Sequence, residues 1–131
     1  YAWDSGLQVG GNFWYQTGRP VNSYGRHPND PWAREDPYLS FYTDGEPRPR
    51  GCCGRTDDVW SLDLMLKYDL STLGAGWNVR VDVFNVFDAQ NALWESFVAE
   101  YPSNGDPYEG YGEPFGYQPP RTVRLGFGVS F

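Results

Sequence analysis

The sequence predicts an all-β fold, an antiparallel up-and-down meander of four long strands with two long loops between them. In four segments of about ten residues each, apolar and polar side chains alternate, which is typical of strands with one apolar face. All 11 prolines of the 131 residues lie outside these segments, so regular and irregular parts are sharply separated. The connections run long, short, long, which predicts that both long loops leave the same end of the sheet.

The first predicted strand covers residues 7–17, where leucine, valine, phenylalanine and tyrosine alternate with polar residues and glycines. The stretch that follows, up to about Val59, holds six prolines and has no helical period, so it predicts a long loop. Inside this loop, the segment Leu39–Thr43 followed by Asp44 and Gly45 predicts a small hairpin.

The second predicted strand, residues 60–70, has the cleanest alternation. Its even positions carry a tryptophan, four leucines and a tyrosine, which a helix would scatter around its axis. A short turn over residues 71–76 leads to the third predicted strand, residues 77–87. There the alternation slips at Phe84–Phe87, where Asn85 falls on the apolar side, and this predicts a strand end or a bulge.

The register of this central hairpin follows from charge. Pairing Lys67 with Asp82 and Asp69 with Arg80 gives two opposite-charge pairs, each contributing about 0.2–1 kcal/mol. The alternative register sets Lys67 opposite Arg80, and like charges directly opposite each other are destabilising. We therefore predict the first register, which requires a slightly longer turn.

A second long loop, residues 88–120, contains the other five prolines. Apolar residues at helical spacing over residues 90–101 predict a short helix within it. The fourth predicted strand, residues 121–131, alternates five apolar residues with polar residues and glycines and ends on Phe131.

The composition excludes some functions and favours a membrane location. A net charge of −7 argues against nucleic acid as a partner. No apolar run approaches the roughly 20 residues of a membrane helix, but strands of about ten residues, tilted by about 45°, are long enough to cross a bilayer. Short turns on one side, long loops on the other and aromatic residues near the strand ends are typical of outer-membrane barrels. The chain, residues 1–131, is thus predicted to be part of a transmembrane β-barrel, with both long loops extracellular; that it is the C-terminal portion is what the resemblance described below implies.

In such a barrel the polar strand faces would line the lumen. The residues predicted to face it are the charged ones of the second, third and fourth strands: Asp63, Lys67, Asp69, Arg80, Asp82 and Arg124. The first residues, Tyr1–Gly6, suggest a chain that starts inside a hairpin, and we expect it to be a fragment or a processed piece.

Three segments carry a family resemblance: Gln16–Pro20, Asp82–Asp88 and the ending Gln118–Phe131. With these, the chain resembles the C-terminal end of a TonB-dependent outer-membrane receptor of the Oar-like kind. The resemblance implies a plugged barrel of 22 strands in the outer membrane of a Gram-negative bacterium, which binds an unknown substrate at the cell surface and imports it. Implied partners are outer-membrane lipid, TonB through a missing N-terminal part, and the barrel-assembly machinery. That machinery would read the terminal residues Phe127, Val129 and Phe131.

The loop aromatics are the best candidates for substrate binding, because large rings interleaved with Asp, Asn and Gly suit sugar or peptide recognition. Packing among the rings themselves, which would order the loops, is an equal alternative. The residues singled out for binding are Trp32, Tyr38, Tyr42, Trp94, Tyr108 and Tyr111.

No catalytic or metal site is predicted, and no cofactor. The single histidine, His27, lies in a loop, where solvation is the commoner role, and no Ser/His/Asp set can be built from it. Cys52 and Cys53 lack the ligand spacing of a metal site. They could form a vicinal disulfide, stay free or pair separately.

Two other interpretations fit the alternation. One is a soluble β-sandwich that binds carbohydrate, in which the apolar faces would pack on one another. The other is a self-assembling barrel to which each subunit gives four strands. The exposure of the leucines on the second strand distinguishes the sandwich from both barrels.

Overall fold

The computed structural model describes residues 1–35, 40–70 and 76–130, and the fold is all-β. Four long strands, β1 (Leu7–Gln16), β4 (Val59–Asp69), β5 (Gly76–Phe84) and β8 (Thr122–Ser130), form one antiparallel sheet in the order β1-β4-β5-β8. The order confirms the predicted meander of four long strands, with boundaries that differ from the predicted ones by up to three residues. The predicted turn over residues 71–76 lies outside the described residues except for Gly76.

The observed register of β4 and β5 is the one that we did not predict. Lys67 lies opposite Arg80, and Met65 rather than Lys67 lies opposite Asp82. The amide of Leu70, which donates to the carbonyl of Trp77 over 2.8 Å, continues this register beyond Asp69. The prediction that opposite charges would set the register was therefore wrong.

The charges are instead paired two residues apart along their own strands. The Nζ of Lys67 lies 3.1 Å from a carboxylate oxygen of Asp69, and a terminal nitrogen of Arg80 lies 2.8 Å from one of Asp82. Because residues two apart on a strand point to the same face, each cation gains a carboxylate without a cross-strand pair. This arrangement lets Lys67 and Arg80 lie opposite each other.

β5 ends at Phe84, which confirms the strand end or bulge predicted where the alternation slips. Asn85 adopts a left-handed backbone (φ 50°), a conformation that Asn tolerates better than most residues. Its side-chain amide donates to the carbonyls of Ala89 (3.0 Å) and Pro119 (2.8 Å), and its oxygen accepts from the amide of Ala89 (3.1 Å). One buried side chain thus closes the turn after β5 and holds the approach to β8.

The N-terminal residues fold back on β1. Ala2 and Gln8 form an antiparallel bridge across a turn at Gly6, and the amide of Val9 donates to the carbonyl of Tyr1. In the described parts of the chain, the rest of the outer edge of β1 and the outer edge of β8 have no neighbouring strand. The sheet is therefore open, as predicted.

The chain divides into two compact units. The sheet unit holds the four long strands apart from Val59, and the loop unit comprises Thr17–Val59 and Asn91–Gln118. Both predicted long loops thus fold together into one unit. It contains a helix, α1 (Pro31–Glu35), and four short strands: β2 (Tyr42–Thr43), β3 (Glu46–Pro47), β6 (Ala92–Glu95) and β7 (Pro114–Tyr117).

Two of our expectations for the loops need correction. The helix predicted within residues 90–101 is wrong, because Ala92–Glu95 forms a strand that pairs with Pro114–Tyr117. Short apolar runs do not distinguish helix from strand by period alone. The first loop was expected to have no helix, yet α1 begins after Asp30, which caps it, with proline at its first position. The hairpin predicted at Asp44 and Gly45 is present as β2–β3, while Leu39 lies outside the described residues.

None of the helices in residues 1–35, 40–70 and 76–130 is long and apolar enough to span a membrane.

Candidate functional site

The loop unit is held together around Tyr24. The amide of Tyr24 donates to the carbonyl of Phe97 (2.8 Å), and the amide of Ala99 donates to the carbonyl of Tyr24 (2.7 Å). The Tyr24 ring packs edge-to-face against Phe41 at 5.2 Å and Phe97 at 6.0 Å between ring centroids. Backbone bonds and ring packing thus join the first loop to the second at the same point.

Glu100 provides a second connection between the loops. Its carboxylate is buried and accepts hydrogen bonds from the amides of Arg26 (2.7 Å) and Asp44. Gly25 is required beside it, since a Cβ there would lie 2.6 Å from the carbonyl oxygen of Tyr42. The sequence analysis did not single out Glu100, because nothing in its spacing distinguishes it from the exposed acids around it.

Asp30 organises the start of α1. One carboxylate oxygen accepts from the amides of Trp32 (3.0 Å) and Ala33 (3.4 Å), and the other accepts from the Tyr42 hydroxyl (3.0 Å). The Tyr42 hydrogen bond lowers the pKa of Asp30 and, reciprocally, raises the pKa of Tyr42. Tyr42 therefore has a structural partner, which favours the packing interpretation for this ring.

Cys52 and Cys53 form a disulfide with each other, in an exposed turn. The turn continues a short antiparallel contact between the two arms of the first loop, with the Cys53 amide donating to the Val21 carbonyl. Buried Asn22 accepts from the amide of Gly51 (2.8 Å) through its side chain, and its carbonyl accepts from the Tyr111 hydroxyl (3.3 Å). Tyr111 thus connects the second loop to the disulfide turn.

The predicted binding residues occupy different surroundings. Trp32 is 81% exposed, and Trp94 is 46% exposed with the Arg19 guanidinium 3.9 Å from its ring centroid. Tyr108 packs edge-to-face on Tyr101 at 5.1 Å. Tyr38 lies outside the described residues. Trp32 and Trp94 are therefore the most accessible of the set, and their role in binding stays a prediction.

His27 has a local structural role. Its Nδ1 accepts from the amides of Asn29 (3.3 Å) and Asp30 (3.1 Å), and its ring lies 4.9 Å from that of Tyr42. Among the described residues, no three His, Cys, Asp or Glu side chains are grouped as a metal ion would require.

The six charged residues predicted for the lumen share one face of the sheet, because the register alternates them with the apolar residues. Asp82 is buried and is bound by both Arg80 and Arg124, whose guanidinium nitrogens approach it to 2.8 and 3.0 Å. Asp63 accepts from the Ser61 hydroxyl and the Asn85 amide, both at 2.9 Å. Whether this face lines a lumen stays a prediction.

The opposite face of the sheet is apolar and exposed. Leu125 is 62% exposed and Phe127 is 76% exposed, and both lie opposite valines of β5. At one end of this face, Trp60 contacts the rings of Phe13 and Phe87 at 6.4 and 5.6 Å. Val129 is also exposed, while Phe131 lies outside the described residues.

Comparison with known proteins gives no match among protein-family models, curated proteins or solved structures.

Proposed function

We propose that the chain is the C-terminal β-barrel portion of a TonB-dependent outer-membrane receptor, which binds a substrate at the cell surface with its loop unit and imports it. One observation carries this proposal: the four-stranded sheet has one exposed apolar face and one face of paired charges. A strand in a barrel wall has this division, with lipid outside and polar groups inside.

The amount of exposed apolar surface favours lipid over water. Leu64, Leu66, Val123, Leu125 and Phe127 are each at least 42% exposed and lie on the same face. Soluble monomers rarely leave contiguous apolar patches of this kind uncovered. In the alternative β-sandwich the same residues would form the core, so their exposure argues against that interpretation.

The open edges favour a larger barrel. Unpaired strand edges promote aggregation, and barrel closure removes them. Four strands are too few, since single-chain barrels of this class begin at about eight. Further strands beside β1 and β8, from the same parent chain, would complete the wall.

Nitroxide labels on the two faces of β8 test the proposal. We would place a labelled cysteine at Phe127 on the apolar face and, as a matched control, at Gly126 on the charged face, where a Cβ meets only an ordinary contact with Arg80 at 3.7 Å. The native cysteines are joined to each other and do not compete for the label.

In reconstituted bilayers, molecular oxygen should relax the label at position 127. A water-soluble nickel chelate should relax the label at position 126. Shielding of position 127 from both reagents would indicate a second packed layer, and the proposal would then be abandoned for the sandwich.

A further inference from the structure

A groove runs along the second segment of the loop unit. Trp94 and Phe115 line a cleft of about 300 Å³, and Tyr101 and Tyr108 line a second of about 230 Å³. Ser96 and Val98 line both clefts, so the two are adjacent. We call them together the aromatic groove.

The segment that forms the groove is acidic and contains no cationic residue of its own. Residues 91–118 contain five acidic residues and no Lys, Arg or His: Glu95, Glu100, Asp106, Glu109 and Glu113. Glu95 lines the cleft of Trp94, and Glu109 and Glu113 are exposed. Carboxylates beside aromatic faces attract cations by charge and by the ring quadrupole.

The structure already holds one cation on a ring of this groove. The Arg19 guanidinium lies over Trp94, with Cζ 3.9 Å from the ring centroid. Both residues are exposed. The Trp94 ring is therefore able to accept a guanidinium or ammonium group in water-accessible surroundings.

We infer that the aromatic groove binds a basic peptide, with lysine or arginine side chains on its rings. This inference rests on the proposed function, because it names the class of substrate that the receptor would take. Long basic side chains lay their methylene stems on apolar surface while their charged ends reach outward. Such side chains match clefts whose linings are apolar and whose acids lie nearby, and two adjacent clefts suit neighbouring residues of one peptide.

The test measures peptide binding to the full chain in detergent by fluorescence anisotropy. The probe is a fluorescein-labelled pentapeptide with lysine at alternate positions, and its counterpart carries glutamine in place of lysine. The variants are Trp94→Ala, Glu95→Gln and the charge-conserving Glu95→Asp. Glu46→Gln is the matched control, because it removes the same charge from an exposed site on β3.

The lysine peptide should bind and the glutamine peptide should not. Trp94→Ala should weaken binding by about two- to fivefold, as expected for an exposed cation–π contact. Glu95→Gln should weaken binding by up to about fivefold, whereas Glu95→Asp and Glu46→Gln should bind the peptide with nearly the affinity of the unsubstituted protein. Raising the salt concentration should weaken binding further.

Three outcomes would overturn the inference: equal binding of both peptides, equal losses from Glu95→Gln and Glu46→Gln, or spermine competing as strongly as the peptide does. Detergent partitioning, measured on the same samples, separates this inference from the proposed function. A chain that enters the detergent phase but ignores the lysine peptide contradicts the inference alone, whereas a chain that stays in the aqueous phase contradicts the receptor.

Discussion

Removing the Glu100 carboxylate should loosen the loop unit, because two backbone amides would lose their acceptor. Glu100 is 4% exposed and binds the amides of Arg26 and Asp44, which are 74 and 56 residues away in the chain. Hydrogen bonds to charged groups contribute about 1.5–3 kcal/mol each, or about 3–6 kcal/mol for the pair. Glu100 also lines an open cavity of about 370 Å³, so water would form some of the hydrogen bonds that the two amides lose. We expect Glu100→Ala to cost about 2–4 kcal/mol of loop-unit stability.

Hydrogen exchange measures this loss at the two amides themselves. In Glu100→Ala the amides of Arg26 and Asp44 should exchange at least about 30-fold faster, the factor that corresponds to 2 kcal/mol. The control is Glu109→Ala, which removes an exposed carboxylate from the same segment and should change stability by less than about 0.5 kcal/mol. If both amides exchange at the unsubstituted rate in a folded Glu100→Ala protein, Glu100 does not hold the loops together.

Three further predictions concern other parts of the molecule. Leu125→Lys should lower the free energy of unfolding in a bilayer by about 2–4 kcal/mol if the site lies near the midplane. Thr122→Lys, at the strand end on the opposite face, should lower it by only about 0–1 kcal/mol. Urea titration of the reconstituted protein compares the two variants. The Tyr42 hydroxyl lowers the pKa of Asp30 in the folded protein. The hydrogen bond between these two side chains therefore stabilises the fold fully above the ordinary Asp pKa of about 3.9, and this stabilisation is lost as pH falls through the lower pKa of folded Asp30. Tyr42→Phe should raise the pKa of Asp30 in an NMR titration, and an unchanged value would contradict the assigned cause. Gly25→Ala should destabilise the loop unit by about 1–3 kcal/mol, because its Cβ would lie 2.6 Å from a backbone oxygen, and an unchanged melting temperature would mean that the backbone adjusts at no cost.

The sheet could be predicted from the sequence because alternation is a local property. Each strand shows its apolar face within ten or so residues, and loop lengths then order the strands in the simplest meander. The break at Asn85 was predicted for the same reason. The register of β4 and β5 could not be predicted in this way, because it depends on which residue each charged side chain pairs with. Lys67 and Arg80 are satisfied along their own strands, so the cross-strand term that we used to choose the register had little weight.

The loop unit could not be predicted, because its contacts join backbone groups that are far apart in an aperiodic sequence. The Glu100 carboxylate and the side-chain oxygen of Asn22 accept hydrogen bonds from backbone amides, and no residue pattern marks those amides. The start of α1 was different. Asp30 followed by Pro31 is a recognisable helix start. We did not predict this helix because the many prolines in the segment indicated a loop. From the sequence, Cys52 and Cys53 could have been free, paired separately or paired with each other. The structure shows that they are paired with each other.

The interior of the loop unit explains why so many rings remain at its surface. Its buried residues include several polar ones, such as Asn22, Thr56 and Glu100, and its buried apolar side chains are small, such as Val21 and Ala92. Hydrogen bonds to backbone groups thus hold the loops where a larger domain would use an apolar core. Tyr24 and its two neighbours are the main ring cluster that joins the loops. Trp94 and Phe115 lie outside this cluster and are exposed, which leaves them accessible to a ligand at an acidic surface.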